Sequence, residues 1–439
     1  MEVTIEKMIY GGEGLARVAQ AGETRAQTVF VPFVLPGERV EATATEQKPG
    51  LIHTRLERVI EASRERTEPG CPYFGACGGC QYQQAEYAKQ LEIKEAILRE
   101  TLERTAKIKW AHEIHTHGSP PWNYRNRTRL KLRAAPFAMG YYKFGSHELL
   151  PVEQCPISSP LINRAIDSLW QLGRSGTVAA EITEVELFAS AEDAELRVEL
   201  YEDARAPMAE DAAAAFSGQL RAALPEICGI AIFASGRQGS AERRRLGTAM
   251  EAKLGESEIT YRTSGTKYRV SAGSFFQVNR FLTEKLIEIV VAGREGKTAL
   301  DLYAGVGLFA VQLAQQFERV VAVESSASAF EDLRKNLPRD AKARRGTAEQ
   351  YLDEARGEFD FVVVDPPRAG LGKRVAQQLG KLGTPQLTYV SCDPATLARD
   401  LQVLTAGAYE IEEIAMVDLF PQTFHLETVV KMKRSLRDG

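Results

Sequence analysis

The chain has 439 residues, a formal net charge of -4 and an isoelectric point near 6.0. With 44% hydrophobic and 26% charged residues it is an ordinary globular composition, long enough for two or three domains. That balance excludes a generally basic nucleic-acid coat protein, and no apolar run approaches a secretory leader or a membrane span, so a cytoplasmic protein with no membrane partner and no disulfides is expected.

The first sixty residues predict short strands broken by turns. "GGEGLARV" reads as a glycine-rich hairpin region, "TVFVPFVLPGE" as a strand with a Pro-Gly turn and "RVEATATE" as an alternating strand. So many short strands in so few residues predict a small barrel of the kind that holds oligonucleotides. "EASRERTEPG" then serves as a linker.

Next comes "CPYFGACGGC". Three of the six cysteines, Cys71, Cys77 and Cys80, fall within ten residues, and Cys155 follows in "PVEQCPIS". Gly75, Gly78 and Gly79 let the backbone wrap tightly. Four thiolates suit a metal site, and a spacing of five residues and then two favours an iron–sulfur cluster over zinc. The alternative is a set of small buried hydrophobes. Cys228, alone in "ALPEICGIAIF", reads as a core residue.

A helix follows, with Tyr87, Leu91, Leu98 and Leu102 on one face and Lys, Glu and Arg covering the rest, as a packing helix would have. In "YRNRTRLKLR", Arg125, Arg127, Arg129, Lys131 and Arg133 alternate at the strand period and so share one face. In an acidic chain this row predicts an RNA phosphate footprint, against the alternative of a solvated edge strand. Residues 181–215 are acidic and alanine-rich with no recognisable chemistry, and "AERRRLGTA" reads as a solvated basic turn.

The last third changes character. "KTALDLYAGVGLFAVQLAQQF" reads strand, glycine loop, helix; "ERVVAVESS", "FDFVVVDPPRAG", "LTYVSCDP" and "ETVVKM" supply further strands, several separated by helical stretches. This predicts a mostly parallel α/β sheet with its ligand at the carboxyl ends of the strands. Gly305, Gly307 and Ala310 satisfy a dinucleotide-type fingerprint, and Glu324 ends the next strand as a ribose clamp. That pattern fits NAD and S-adenosylmethionine equally. Asp365-Pro366-Pro367 is more selective: two residues without an N–H close a buried strand as a rigid, acceptor-rich lip. It suits an adenosyl or base ligand and favours S-adenosylmethionine.

Cys392 stands at the end of "LTYVS", directly before an N-cap (Asp393) and a first helical proline (Pro394). A thiol beside a helix N-terminus tends to be acidified, which predicts a nucleophile, the alternative being a buried strand-end cysteine. A nucleophilic thiol beside a methyl donor has a clear use. Addition at carbon 6 of a pyrimidine turns carbon 5 into an enolate carbon that can take a methyl group. A base must then remove the carbon 5 proton, and "FHLETVVKM" offers Glu427 and His425.

These motifs together resemble the bacterial RNA (uracil-5-)-methyltransferase family, particularly its iron–sulfur-containing 23S ribosomal RNA branch. The likeness runs through "CPYFGACGGC" with Cys155, "YRNRTRLK", "SFFQVN", "DLYAGVGLF", "DPPRAG", "YVSCDPATLARD" and "FHLETVV". The resemblance implies a multidomain chain: a TRAM-like, OB-like β-barrel over 1–60, a central α+β iron–sulfur domain over 61–265 with an RNA-contacting strand, and a Rossmann-like methyltransferase domain over 266–439. The helix at 83–108 is expected to pack on this last domain. The resemblance further implies Cys71, Cys77, Cys80 and Cys155 as ligands of a [4Fe-4S] cluster, and Gln277, Tyr303, Glu324 and Asp365 as S-adenosylmethionine contacts. It implies Cys392 as the nucleophile and Glu427 as the base, with His425 supporting. Leu308 stands where some relatives carry a polar cofactor contact. The expected activity is methylation of carbon 5 of a uridine in structured RNA, 23S rRNA in the first place, by a monomer, with a structural or RNA-positioning role for the cluster. The same chemistry on tRNA is the nearest alternative. An amine methyltransferase would not need Cys392 and usually follows Asp-Pro-Pro with an aromatic residue, where Arg368 stands. A non-catalytic iron–sulfur RNA-binding protein would leave Cys392 and Glu427 idle.

Overall fold

The computed structural model describes residues 1–18, 26–235, 250–255, 258–355 and 358–435. The predicted basic turn at 241–249 lies outside them. No helix among the described residues is long and apolar enough to cross a membrane.

Strands Glu2–Thr4, Lys7–Met8, Glu13–Val18, Gln27–Pro32, Arg39–Lys48 and Leu51–Glu61 form one six-stranded sheet. Alternation sets Ala16, Val29, Val31, Val40, Ala42 and Ile52 on its buried face. The Glu6 N–H donates to Leu15 O at 2.8 Å, drawing the first strand toward the third and curling the sheet into a partial barrel. The expected N-terminal barrel is therefore present, although the sheet order is open.

A seven-stranded sheet follows, with the helices Pro160–Arg174 and Glu210–Ala223 packed on it. Here the basic row meets an acidic one. Strand Arg127–Arg133 pairs antiparallel with Ile182–Ala189, and Arg129 faces Glu186 while Lys131 faces Glu184. Arg127 and Arg129 both bind the buried Glu186 carboxylate, Arg129 lies over the Tyr201 ring with its guanidinium carbon 3.9 Å from the centroid, and Lys131 pairs with Glu184. Burial raises the Glu186 carboxyl, but the two guanidinium groups outweigh it and hold the group at about 2. The phosphate-footprint reading is thereby corrected for these three cations, because strand pairing neutralises and largely covers them. Among the described residues only Arg125 and Arg133 of the row form no ion pair. Arg127→Ala should leave the buried Glu186 carboxylate with Arg129 as its remaining cation and destabilise the domain by about 1–3 kcal/mol. A thermal scan should record this as a lowered transition, with the salt slope of RNA binding unchanged.

The last sheet is the one that organises the chemistry. Five parallel strands, Lys342–Arg345, Arg319–Glu324, Thr298–Leu302, Phe361–Val364 and Gln386–Ser391, stand side by side in that order. Glu427–Arg434 and Tyr409–Val417 continue the sheet antiparallel, and His115–His117 closes its edge. Apart from the edge strand Lys342–Arg345, the parallel strands are largely apolar runs, as burial on both faces requires. The chain runs outward on one side of Thr298–Leu302 and then returns to build on the other side, so the strand order reverses between that strand and Phe361–Val364. A crevice opens at the carboxyl ends of such a pair.

Two of the expected boundaries need correction. A division at 265 falls in the turn of a hairpin, Glu258–Thr263 with Thr266–Ser271, whose Ile259, Tyr261, Tyr268 and Val270 are packed into the core beneath the catalytic sheet. Strand His115–His117 likewise belongs to the catalytic sheet rather than to the central domain. Helix Tyr87–Thr101 shares an apolar cluster with both the N-terminal barrel and the catalytic sheet. Its Lys94 is not among the solvated polar residues: it is wholly buried against Asp418.

Candidate active site

The crevice is lined by residues that follow consecutive strand ends. Leu302 is in register with Val323 and with Val364, so Tyr303, Glu324 and Asp365 emerge side by side. Tyr303 has φ +64°, a left-handed conformation that a bulky residue adopts only where the surroundings impose it. Gly305 and Gly307 also have positive φ. A side chain at Gly305 would meet nothing within 4 Å, so its backbone faces open space; at Gly307 it would strike Leu333 at 2.9 Å. Glu324 accepts the N–H groups of Gly305 (2.8 Å) and Ser326 (2.6 Å), which orients its carboxylate toward the glycine loop. Gln277 is buried on a segment held by Asn279, whose side chain contacts Ser119 and Leu419 O.

Sequence reasoning missed Asp301, on the strand leading into the loop. It is fully buried, and burial, then Asp365, hold its carboxyl well above the usual range against the pull of the Ala310 backbone N–H. A buried acid on the strand leading into an open glycine loop, with the Glu324 and Asp365 carboxyls beside it, makes an acceptor-rich set that fits the ammonium and hydroxyl donors of S-adenosylmethionine.

Across the crevice, strand Gln386–Ser391 ends at the cysteine. The ladder between these strands ends where Ser391 pairs with Thr428, and Cys392 and Glu427 lie just beyond that pair, close enough for the Glu427 charge to act on the thiol. Asp393 caps helix Pro394–Thr405 by accepting from Ala395 N (3.0 Å) and Thr396 N (2.9 Å), as its sequence predicts. The Asp365-Pro366-Pro367 lip is stitched to the same helix: Thr396 Oγ1 donates to Arg368 O (3.1 Å) and Arg399 to Ala369 O (2.7 Å). That brings Arg368 over the site, 3.3 Å from both ring nitrogens of His425.

The electrostatics overturn one expectation. The Cys392 thiol is not acidified; burial first, then Glu427 and Asp365, push it up to about 12, against the opposing pull of Arg368. The helix terminus cannot help, because the Asp393 carboxylate already takes its free N–H groups. Burial and then Asp365 also raise Glu427 well above the carboxylate range, while burial alone raises Asp365 to about 7. His425 is driven down to about 3 by burial and by Arg368, so it is neutral at pH 7. Alkylation of Cys392 by iodoacetamide in the RNA-free protein should therefore climb about tenfold per pH unit between pH 7 and 9, because only the thiolate reacts. A plateau across that range would mean the thiol is already ionised.

Away from the crevice, the loop carrying Cys71, Cys77 and Cys80 docks on the hairpin that follows the basic strand. Gly78 N donates to Tyr142 O at 3.0 Å and Phe144 N to Ala76 O at 2.8 Å. Cys155 is held at its backbone by Asn163, which bonds both its N–H and its carbonyl. Burial first, and Cys155 as a neighbour, raise Cys77 to about 11 and Cys80 to about 12. Among the described residues, no three His, Cys, Asp or Glu side chains are gathered to hold a single metal ion.

The loop continues into the active site. Gln81 N and Tyr82 N both donate to Gln422 O (3.0 Å each), Gln90 bonds Gln422 through both ends of its amide, and Tyr124 Oη donates to Pro421 O (3.0 Å). The strap 418–425 that leads to Glu427 is thus held from outside the catalytic sheet.

The pattern of the tRNA (uracil-5-)-methyltransferase family matches residues 86–344 and 342–435, and that of the TRAM domain matches residues 1–53. An RNA methyltransferase of Aquifex aeolicus is 32% identical over 99% of this chain and 98% of its own. A 23S rRNA (uracil(1939)-C(5))-methyltransferase of Pectobacterium atrosepticum is 31% identical over 98% of this chain and 92% of its own. Among solved structures, the tRNA (uracil-54, C5)-methyltransferase of Pyrococcus abyssi, in complex with S-adenosyl-L-homocysteine, shares the fold with a TM-score of 0.75. It is 24% identical and covers 98% of this chain and all of that one.

Proposed function

The chain belongs to the tRNA (uracil-5-)-methyltransferase family and carries an N-terminal TRAM domain, and from that premise we propose that it methylates carbon 5 of one uridine in 23S rRNA through a covalent Cys392 adduct. The observation that carries the proposal is the end of the ladder at Ser391–Thr428, just beyond which Cys392 lies within electrostatic reach of Glu427, Asp365 and Arg368. The ribosomal substrate is favoured over tRNA by the 31% identity, over nearly the whole chain, to a 23S rRNA enzyme.

S-adenosylmethionine supplies an electrophilic methyl group; Gln277, Tyr303, Glu324 and Asp365 are the residues that would hold it. The target uridine must leave its stack to reach a thiol at this depth. The Cys392 thiol gives up its proton to water, its sulfur bonds carbon 6, and the electron pair displaced onto carbon 5 takes the methyl group, whose bond to the donor's sulfonium sulfur breaks. Glu427 then takes the carbon 5 proton, the carbon 5–carbon 6 double bond re-forms, and the bond to sulfur breaks. Burial and Asp365 raise the proton affinity of Glu427, which favours its taking up the carbon 5 proton. Neutral His425 and the cationic Arg368 flank the reacting edge and stabilise the negative charge that passes through it. Mapping 5-methyluridine in total RNA from a deletion strain tests the reading: loss of one 23S rRNA site supports it, loss in tRNA redirects the substrate, and no loss overturns it.

Cys71, Cys77, Cys80 and Cys155 are read as ligands of a [4Fe-4S] cluster. Their support is the donor chemistry, with Cys71, Cys77 and Cys80 all partly buried and all within electrostatic reach of Cys155, a thiol set suited to a polynuclear core. Protein purified without air should be brown. Cys155→Ser should lower both iron content and thermal stability, and Cys228→Ser should leave both unchanged. Stoichiometric zinc without iron or sulfide would refute the assignment.

A further inference from the structure

The N-terminal barrel reaches the nucleophile. Its turn between strands Lys7–Met8 and Glu13–Val18 places Tyr10 with its hydroxyl 3.4 Å from Cys392 O, across 382 residues of chain, and beside the Asp393 carboxylate. The Tyr10 ring meets Phe424 edge-on, centroids 5.4 Å apart at 86°, and Phe424 in turn packs on His425 at 4.1 Å. Gly11 and Gly12 make this approach achievable, with φ +111° and +90°. A side chain at Gly12 would lie 2.7 Å from Gln81 Cβ and 3.5 Å from Phe424 Cβ, so the turn is seated with no room to spare. Gln81 also accepts the Phe424 N–H (3.4 Å), so barrel, cysteine loop and catalytic strap meet at one knot.

We propose that Tyr10 is a positioning residue of the active centre: it anchors the Cys392–Asp393 peptide, and through it the direction of the thiol, so that the barrel builds the catalytic pocket as well as contacting RNA. The inference rests on Cys392 being the nucleophile. A carbonyl held from outside the sheet fixes the Cα–Cβ vector of its residue, which the strand alone leaves free once pairing ends at Ser391. The partly buried hydroxyl lies among Asp393, Arg368 and Cys392, groups of this site, while the ring packs on the apolar cluster that the barrel shares with the catalytic sheet.

The test uses the full chain. Tyr10→Phe removes only the hydroxyl, and Tyr10→Ala removes the wall as well. One hydrogen bond of this kind predicts a kcat about three- to tenfold lower for Tyr10→Phe, with KM for RNA and the melting temperature unchanged. Tyr10→Ala should lower kcat further. In the RNA-free protein, iodoacetamide should label Cys392 at least threefold faster in both variants, because the Cys392–Asp393 peptide has lost its anchor. Slower catalysis with a more reactive thiol is the signature of lost positioning. Unchanged kcat and labelling in Tyr10→Phe, or a rise in KM alone, would overturn the proposal; if Tyr10→Ala fails to fold, Tyr10→Phe decides. Labelling needs neither RNA nor methyl donor, so it judges Tyr10 even if the wild-type protein methylates no uracil, which would instead overturn the proposed function.

Discussion

Glu427→Gln should stop the enzyme with methylated RNA still joined to Cys392. Gln keeps the size and polarity of a residue that is 4% exposed, so the pocket survives, but an amide cannot take up the carbon 5 proton. Adduct formation and methyl transfer precede that step and need no base at this position. The product therefore accumulates as a protein–RNA species, a slow band that survives denaturing electrophoresis, while turnover falls by about 10² to 10⁴. Cys392→Ala should abolish both methylation and the adduct, since carbon 5 is too poor a nucleophile unaided. His425→Ala should slow turnover without trapping, because a neutral imidazole beside Arg368 orients and does not accept the proton. Normal turnover in Glu427→Gln, or no adduct while RNA and methyl donor still bind, would remove Glu427 from the role of base.

The second large effect lies in the strap. Lys94→Met should lower stability by about 3–5 kcal/mol, the range for breaking a buried ion pair from one side. Lys94 Nζ donates to Asp418 Oδ1 at 2.6 Å and to Phe420 O at 3.0 Å, both charged side chains are fully buried, and Tyr87 Oη donates to the other Asp418 oxygen at 2.9 Å. Removing the ammonium leaves a carboxylate with neither water nor counter-charge. Adding Asp418→Asn should recover much of the loss, because the amide oxygen still accepts from Tyr87 and no charge remains. A double-mutant cycle by thermal or chemical unfolding measures this, and equal losses in the single and double variants would refute the account. The strap carries Phe424 and His425 and runs on to Glu427, so the single variant should also lose activity at temperatures where it is still folded.

The cofactor loop, the capped turn after Cys392, the Asp-Pro-Pro lip and the spacing of Cys71, Cys77 and Cys80 are each written in a dozen residues or fewer. Backbone rules act at that range: glycine where φ is positive, an acid and a proline where a helix starts, no N–H where a strand must end. The periodicity of the last third was enough for a parallel sheet, and the reversal of its strand order then puts the ligand at one crevice. These features were legible because local chemistry produces them.

Local patterns alone were enough for a glycine loop after a strand, a thiol at a strand end, three closely spaced cysteines and an N-terminal barrel, and with them the family. Tertiary structure alone decided what surrounds each of them. The cationic face of Arg127, Arg129 and Lys131 was correctly read as one face, yet its meaning depended on Glu184 and Glu186, some 59 residues away from Arg127 in the case of Glu186. Lys94 reads as solvated on its own helix and becomes a buried ion only through Asp418, 324 residues on. The Cys392 thiol is raised rather than acidified because burial and two carboxylates from other strands outweigh a helix end that Asp393 already occupies. Tyr10 carries no signal until folding sets it on the Cys392 carbonyl. Charge, burial and proximity are sums over neighbours in space, and no window of the chain contains those neighbours.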